Sequence, residues 1–246
     1  MKITAKEVYD RLINEDCILE KKGEIWFKFD DIDLLVKQKD VVGNIMQEWL
    51  EEWFKVKNIE YKVNSNTQMP PDFYLNPEDT KAGMLEVKAF NYKATPGFDI
   101  ADFNMYQNEI AKKPYMLDVD YLIFGYEMSD DGYVTIKKLW LEKVWNICSP
   151  SAKWPMKLQV KDNVVHKIRP CKWYSSSKRV SFLPFKSKED FLSALEETVY
   201  KNPKTHNIGG TWEAEFLHNY RTFYGTSINI PRWSEIQDTY TNNKTL

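Results

Sequence analysis

Asp72, Glu86 and Lys88 are the residues whose types and spacing could do chemistry together. They lie in the stretch from Asn64 to Asn91, NSNTQMPPDFYLNPEDTKAGMLEVKAFN. Pro71-Asp72 precedes the apolar run Phe73-Tyr74-Leu75, Asn76-Pro77-Glu78-Asp79 supplies strong turn chemistry, and a second apolar run extends from Met84 to Phe90. Alternation in the second run puts Leu85, Val87 and Ala89 on one side of a strand and Glu86 and Lys88 on the other. Asp72 and Glu86 are 14 positions apart, so the two carboxylates and the lysine can meet at the end of one antiparallel hairpin. Carboxylate oxygens, water and substrate phosphate are the ligand set that Mg2+ takes. An ion held there polarises a phosphate oxygen and lowers the pKa of a bound water. A lysine beside it could orient that water, stabilise developing charge, or act as a base if its pKa were depressed.

The same residue types also occur on surface hairpins as cross-strand ion pairs. Two features favour chemistry: the charges sit inside apolar runs, where an unpaired charge is costly, and Asn64-Ser65-Asn66-Thr67-Gln68 is a cluster of amides and hydroxyls suited to nucleic-acid edges and sugars. Other catalytic schemes lack their residues. His166, His206 and His218 form no HExxH or Cys/His pattern, and there is no P-loop, GxGxxG or GxSxG.

The elements that must position this stretch are legible as periodicity. Thr4 caps a helix from Ala5 to about Asn14, and residues 17–37 alternate as short antiparallel strands around Lys22-Gly23 and Asp30-Asp31. Asp40 is the expected cap of a longer helix, Val41 to about Val56, with Val42, Ile45, Met46, Trp49, Leu50 and Trp53 as its buried stripe. Glu48 lies beside that stripe. A helix over Phe98–Ala111 is followed by the apolar run Tyr121–Tyr126, a strand buried on both faces, so that a parallel crossover and a mixed sheet are expected. Ser129-Asp130-Asp131-Gly132 turns the chain into Tyr133–Trp140, strand-like pieces follow around Met156–Val160 and Val164–Ile168, Ser187 with Asp190 opens a helix to about Tyr200, and Thr211 begins a last one to about Tyr224. No linker or repeat divides the chain, and residues 1–246 are expected to form one domain: an α/β fold with a mixed β-sheet flanked by helices.

Composition agrees with a globular protein of 246 residues, 43% hydrophobic and 15% aromatic, with enough chain for one substantial core. Cys17, Cys148 and Cys171 are scattered and odd in number, which argues against a disulfide framework or thiolate zinc site and for a cytoplasmic location. No apolar run approaches a membrane span, and MKITAKEVYD has no signal-peptide core. The net charge of −2 hides an asymmetry: residues 153–188 carry ten Lys/Arg against the single acid Asp162. Such a window is either a solvated lysine-rich face or a surface for phosphate.

Pro71-Asp72 with Glu86-Val87-Lys88 resembles the PD-(D/E)xK nuclease family, in which Pro-Asp, a spacer and Glu-x-Lys form the active site. The helix VGNIMQEWL is similar to the family's first core helix, and the resemblance carries its metal-assisting glutamate onto Glu48. The blocks VVGNIMQEWL, NTQMPPDFYLNP, LEVKAF and DVDYLIFGY resemble type II restriction endonucleases of the NgoBV/NlaIV kind, over roughly residues 40–140. This implies a restriction-endonuclease-like core at about 40–140, Asp72 and Glu86 as Mg2+ ligands, Lys88 and Glu48 as further catalytic residues, and a homodimer cutting double-stranded DNA at a GGNNCC-like palindrome while a cognate methyltransferase protects the host genome. The excursion at about 153–188 then becomes a recognition element. Within HKIRPCKWYSSSKR, Arg169 and Arg179 are candidates for guanine contact, and Lys172, Ser176 and Lys178 for base or phosphate contact. Asn66 and Gln68 are candidates for sugar or minor-groove contact. A structure-specific or repair nuclease, or a non-catalytic DNA-binding protein on the same fold, are the alternatives.

Overall fold

The computed structural model describes residues 1–175 and 179–242, with only the backbone of Glu20. The chain divides into two compact units, one of Met1–Ser65, Pro71–Phe98 and Asp120–Glu142, the other of Asn66–Pro70, Asp99–Val119 and the chain from Lys143 onward.

The first unit opens with α1 (Ala5–Asp10), capped as expected by Thr4, whose side chain and that of Glu7 satisfy each other's backbone N–H groups. The helix does not run on regularly to Asn14: from Arg11 to Glu15 it widens into a π-turn. Then come β1 (Lys22–Gly23), β2 (Trp26–Phe29), β3 (Ile32–Leu35), α2 (Val42–Val56), β4 (Lys62–Val63), β5 (Phe73–Tyr74) and β6 (Met84–Asn91). After β7 (Ala101–Asp102) and α3 (Phe103–Lys112), which belong to the second unit, β8 (Asp120–Met128) and β9 (Val134–Lys143) follow. Six strands form a mixed sheet in the order β1-β9-β8-β6-β5-β4. The β6–β8 pair is parallel, with Glu86 opposite Tyr121 and Lys88 opposite Ile123, and β5 meets β6 antiparallel. Lys22-Gly23 is therefore an edge strand on β9 and not a turn.

Burial explains the sequence of β8. Tyr121 to Tyr126, on a strand inside the sheet between β6 and β9, is buried on both faces. Helix α2 covers β6 with Val42, Met46, Leu50, Trp53 and Phe54, and Phe54 meets Phe73 of β5 edge-on with centroids 5.2 Å apart. Trp49 of the expected stripe stays partly exposed, and no side chain caps α2: its N-cap is Val41, so Asp40 does not serve. Gly125 of β8 is required by the aromatic side chains around it. A Cβ there would come within 2.8 Å of the Trp140 ring and 3.2 Å of Tyr92. Gly125→Ala is accordingly expected to destabilise the protein by about 1–3 kcal/mol through overpacking, read as a lower urea midpoint with an unchanged slope.

In the second unit, β10 (Leu158–Lys161) and β11 (Val164–Ile168) form the hairpin of the basic window, and β7 joins β11 as a third strand. That pairing shortens the expected helix over 98–111. The Ile100 N–H donates to the Ile168 carbonyl, Ala101 and Asp102 are held extended against β11, and α3 begins only at Phe103. Asp102 caps it by accepting from the Met105 N–H at 3.1 Å. The short α4 (Val144–Ile147) precedes the hairpin; α5 (Lys188–Lys201), α6 (Gly209–Tyr224) and a further short helix, α7 (Trp233–Ile236), follow it. Ser187 caps α5 as expected, accepting from the Asp190 N–H. Tyr106, Phe191, Trp212 and Phe216 fill the core between α3, α5 and α6, and the Trp212 indole donates to the Gln107 carbonyl at 3.0 Å. Among the described residues no helix is long and apolar enough to cross a membrane.

Candidate active site

The site grows from the register of β5 on β6. Phe73 pairs with Leu85 and Tyr74 with Met84, so Asp72, one residue before β5, falls beside Glu86 and Val87. The spacer folds as the composition dictates: backbone N–H groups of Asp79 and Ala82 donate to the carbonyls of Asn76 and Asp79, and Gly83 takes a positive φ of 61° as the chain returns. Asp72 is fixed on two sides. Its carboxylate accepts from the Val87 N–H at 2.8 Å, and its carbonyl accepts from the Asn64 N–H at 3.0 Å. Asn64 also donates its side-chain amide to the Pro71 carbonyl at 2.9 Å, so one residue clamps the Pro-Asp backbone. That clamp was not readable from spacing, since Asn64 could be seen only as one of a row of amides.

Glu86 and Lys88 share a face of β6, as alternation requires, and the Lys88 ammonium stands 2.6 Å from the Glu86 carboxylate. That face is not open to water along its length: Glu86 is 3% exposed. Burial pushes the Glu86 carboxyl up to about 7, the Lys88 ammonium pulling it down and the Asp72 carboxylate pushing it further up. Asp72 is also raised, chiefly by burial, with Lys88 and the Val87 N–H opposing. Glu86 Oε2 is buried and has no hydrogen-bond partner among the described residues.

Such an oxygen is costly as it stands and fits a cation supplied from outside the fold. The donors are hard carboxylate oxygens, which suit Mg2+ and similar ions better than thiophilic ones. Among the described residues no third His, Cys, Asp or Glu completes a metal-binding group with them. Glu48 is exposed on α2.

The candidate DNA contacts lie in the second unit. Asn66 and Gln68 are exposed in a turn, with Asn66 Oδ1 accepting from the Gln68 N–H at 3.1 Å. Arg169 follows β11 and pairs through its guanidinium with Asp99. Lys172 and Arg179 are exposed, and Ser176 and Lys178 lie outside the described residues. Lys157, not singled out from sequence, is half-buried, and its ammonium donates to the Pro170 carbonyl at 2.9 Å. It holds the turn that carries Arg169.

A mixed sheet flanked by helices carries two carboxylates and a lysine, with Asp72 just before β5 and Glu86 and Lys88 on β6, and the fold is that of a restriction endonuclease. A model of the NgoBV restriction endonuclease family matches residues 2–240, and the chain belongs to that family. It is 55% identical over 240 residues to the type II restriction enzyme NlaIV of Neisseria lactamica, covering 98% of each chain. It is 50% identical over 161 residues to the type II restriction enzyme NgoBV of Neisseria gonorrhoeae, covering 65% of this chain and 91% of that one. The solved NlaIV restriction endonuclease superposes with a TM-score of 0.95 at 54% identity, over 99% of this chain and 98% of the other. The protein is a type II restriction endonuclease, a class that generally uses a divalent metal.

Proposed function

We propose that the protein cuts double-stranded DNA at a GGNNCC-like palindrome with Mg2+ held by Asp72 and Glu86, residues 1–246 acting as a single nuclease domain with its catalytic core at about 40–140 and its recognition segment at about 153–188. One observation carries this reading. In a chain 55% identical to NlaIV, a buried Glu86 oxygen with no hydrogen-bond partner among the described residues belongs to a carboxylate that Lys88 approaches at 2.6 Å and on which the Asp72 charge acts. When bound, the metal polarises the scissile phosphate and makes water a better nucleophile. The remaining work falls to side chains of this chain. The Val87 N–H holds the Asp72 carboxylate in one orientation, and the Asn64 clamp fixes the backbone behind it. Lys88, held by Glu86, is placed to hydrogen-bond the attacking water or an equatorial phosphate oxygen while charge builds there. A water oxygen bonds to phosphorus as one P–O ester bond breaks; the water gives up a proton to solvent and the departing oxygen takes one up from solvent. Glu48 is the residue that would support the site from α2. Incubation of purified protein with Mg2+ and phage DNA tests the reading: discrete fragments are expected, and a smear, branch-dependent cutting or binding without cleavage would overturn it.

The recognition segment is assigned by charge and by its place in the basic window. Arg169 and Arg179 read guanine edges, Lys172, Ser176 and Lys178 bases or phosphates, and Asn66 and Gln68 the sugar side. Arg169 has a built-in competitor, since Asp99 holds its guanidinium in the free protein. Arg169→Ala and Arg179→Ala should each lose about 1–3 kcal/mol of discrimination at one base position. Measured as relative cleavage of single-substituted sites, a uniform loss across all sequences would instead make the residue a phosphate contact. The proposed assembly is a homodimer matching the two-fold symmetry of the site, in a bacterial cytoplasm where a cognate methyltransferase protects the host genome.

A further inference from the structure

The β2–β3 hairpin takes no part in the site just described. Its register places Phe27 opposite Leu34 and Phe29 opposite Ile32 on one face, with Trp26 opposite Leu35 and Lys28 opposite Asp33 on the other. The second face is supported: Lys28 and Asp33 pair at 3.5 Å, and Leu35 lies so close to the β8–β9 turn that a Cβ on Gly132 would come within 3.1 Å of it. The first face carries no charge at all. Phe27, Phe29, Ile32 and Leu34 are 56%, 72%, 71% and 56% exposed, and the two phenyl rings stand parallel with centroids 6.4 Å apart. The solvent side of an antiparallel pair is ordinarily polar, and a two-stranded hairpin is marginal in water without something against it. Residues 21–25, which lead straight into β2, form one wall of an apolar groove of about 240 Å³ whose other walls include Ile45, Met46 and Trp49.

We propose that this apolar face, with the groove beside it, is the surface through which two copies of the chain join about a two-fold axis. The inference rests on the homodimer reading above and gives it a location. Aromatic side chains expose on the order of 150–250 Å² each when free, so the quartet leaves roughly 400 Å² of apolar surface in water. That is at the size where a patch on a monomer marks an interaction site. The groove adds to it toward the ~800 Å² per partner of a stable interface. The hairpin face, which is without charge, can meet its own copy with no like-charge repulsion, as an isologous contact requires. Each chain also carries one Asp72–Glu86–Lys88 cluster, whereas a duplex presents two strands to cut.

Sedimentation equilibrium of the whole chain, wild type beside the Phe29→Lys/Ile32→Lys double variant, tests this. The wild type is expected to be dimeric, and the variant to dissociate at least about 100-fold more readily. Its circular dichroism and thermal midpoint should be unchanged, because both side chains face water in the single chain. If that variant does not fold, Phe27→Ala/Phe29→Ala is measured in its place with the same criterion. A dimeric wild type with an equally dimeric variant overturns the hairpin assignment while leaving the homodimer reading intact. A wild type that is monomeric with and without duplex DNA overturns both. A variant that stays dimeric but loses DNA binding makes the hairpin a DNA-contacting arm, which also overturns the assignment.

Discussion

Asp72→Asn and Lys88→Ala proteins are expected to fold normally and to leave plasmid DNA uncut, with rates lowered on the order of 10³-fold or more. The asparagine is the sharper of the possible replacements. Its side-chain oxygen can still accept from the Val87 N–H that Asp72 now satisfies at 2.8 Å, so the backbone of β6 keeps its partner while the charge is gone. Asp72→Ala removes both, leaving a buried donor unpaired, and its stability loss would blur the reading. Lys88→Ala removes the cation beside Glu86 and should weaken cleavage more than specific DNA binding, since the ammonium lies at the reacting end of the site. Gel-shift titration in the presence of Ca2+, set beside single-turnover cleavage in Mg2+, separates the two quantities. Wild-type cleavage by Asp72→Asn would falsify the assignment.

Glu86→Gln should abolish cleavage and at the same time stabilise the metal-free protein above neutral pH. The sign follows from burial. Glu86 has its carboxyl raised from 4.5 to about 7 in the folded chain. Below about 4.5 it is protonated folded and unfolded, and its ionisation does not affect stability. Between 4.5 and 7 the folded chain holds a proton that the unfolded chain has released, so stability falls as pH rises through this window. Above 7 the full penalty of a buried charge is present. Glutamine carries no such penalty and keeps an oxygen for the Lys88 ammonium. The variant should therefore match wild type near pH 4.5 and exceed it by on the order of 1–3 kcal/mol at pH 8. Millimolar Mg2+ should reverse the ranking by stabilising only the wild type. Urea melts at the two pH values with EDTA or Mg2+ make the comparison, and a variant less stable than wild type at pH 8 without metal would refute it.

The Asp72–Glu86–Lys88 cluster was legible because three local signals agreed: Pro before the Asp, a turn-rich spacer, and an alternating Glu-x-Lys. The parallel pairing of β6 with β8 was legible for a related reason, as Tyr121–Tyr126 is too uniformly apolar for a strand with a wet face. What escaped is nonlocal. The helix expected from Phe98 loses its first turn to pairing with β11, about 65 positions away, and helical periodicity cannot report such a competitor. Asp40 has the chemistry of a cap, but the backbone enters α2 through Val41 in a helical conformation and the N-cap position passes to Val41, which has no capping side chain. Alternation put Glu86 and Lys88 on one side of a strand but could not report the near-complete burial of Glu86, which depends on strands on both sides of β6 and a helix over it. Asn64 became visible as the clamp on Asp72 only once β4 and β5 were paired.

The parallel pairing of β6 with β8 also has a consequence during synthesis. Leu85 pairs with Asp120, and between them the chain leaves the first unit altogether for residues 99–119. A ribosome that has finished Glu86 and Lys88 has therefore made the chemistry without its enclosure. The strand that flanks them is still untranslated, and β9 must follow before Lys22 and Gly23 at the far edge find their partners. Loops of this length close slowly compared with a local hairpin. A cell making this nuclease is exposed to its activity only after more than half of the polypeptide has emerged.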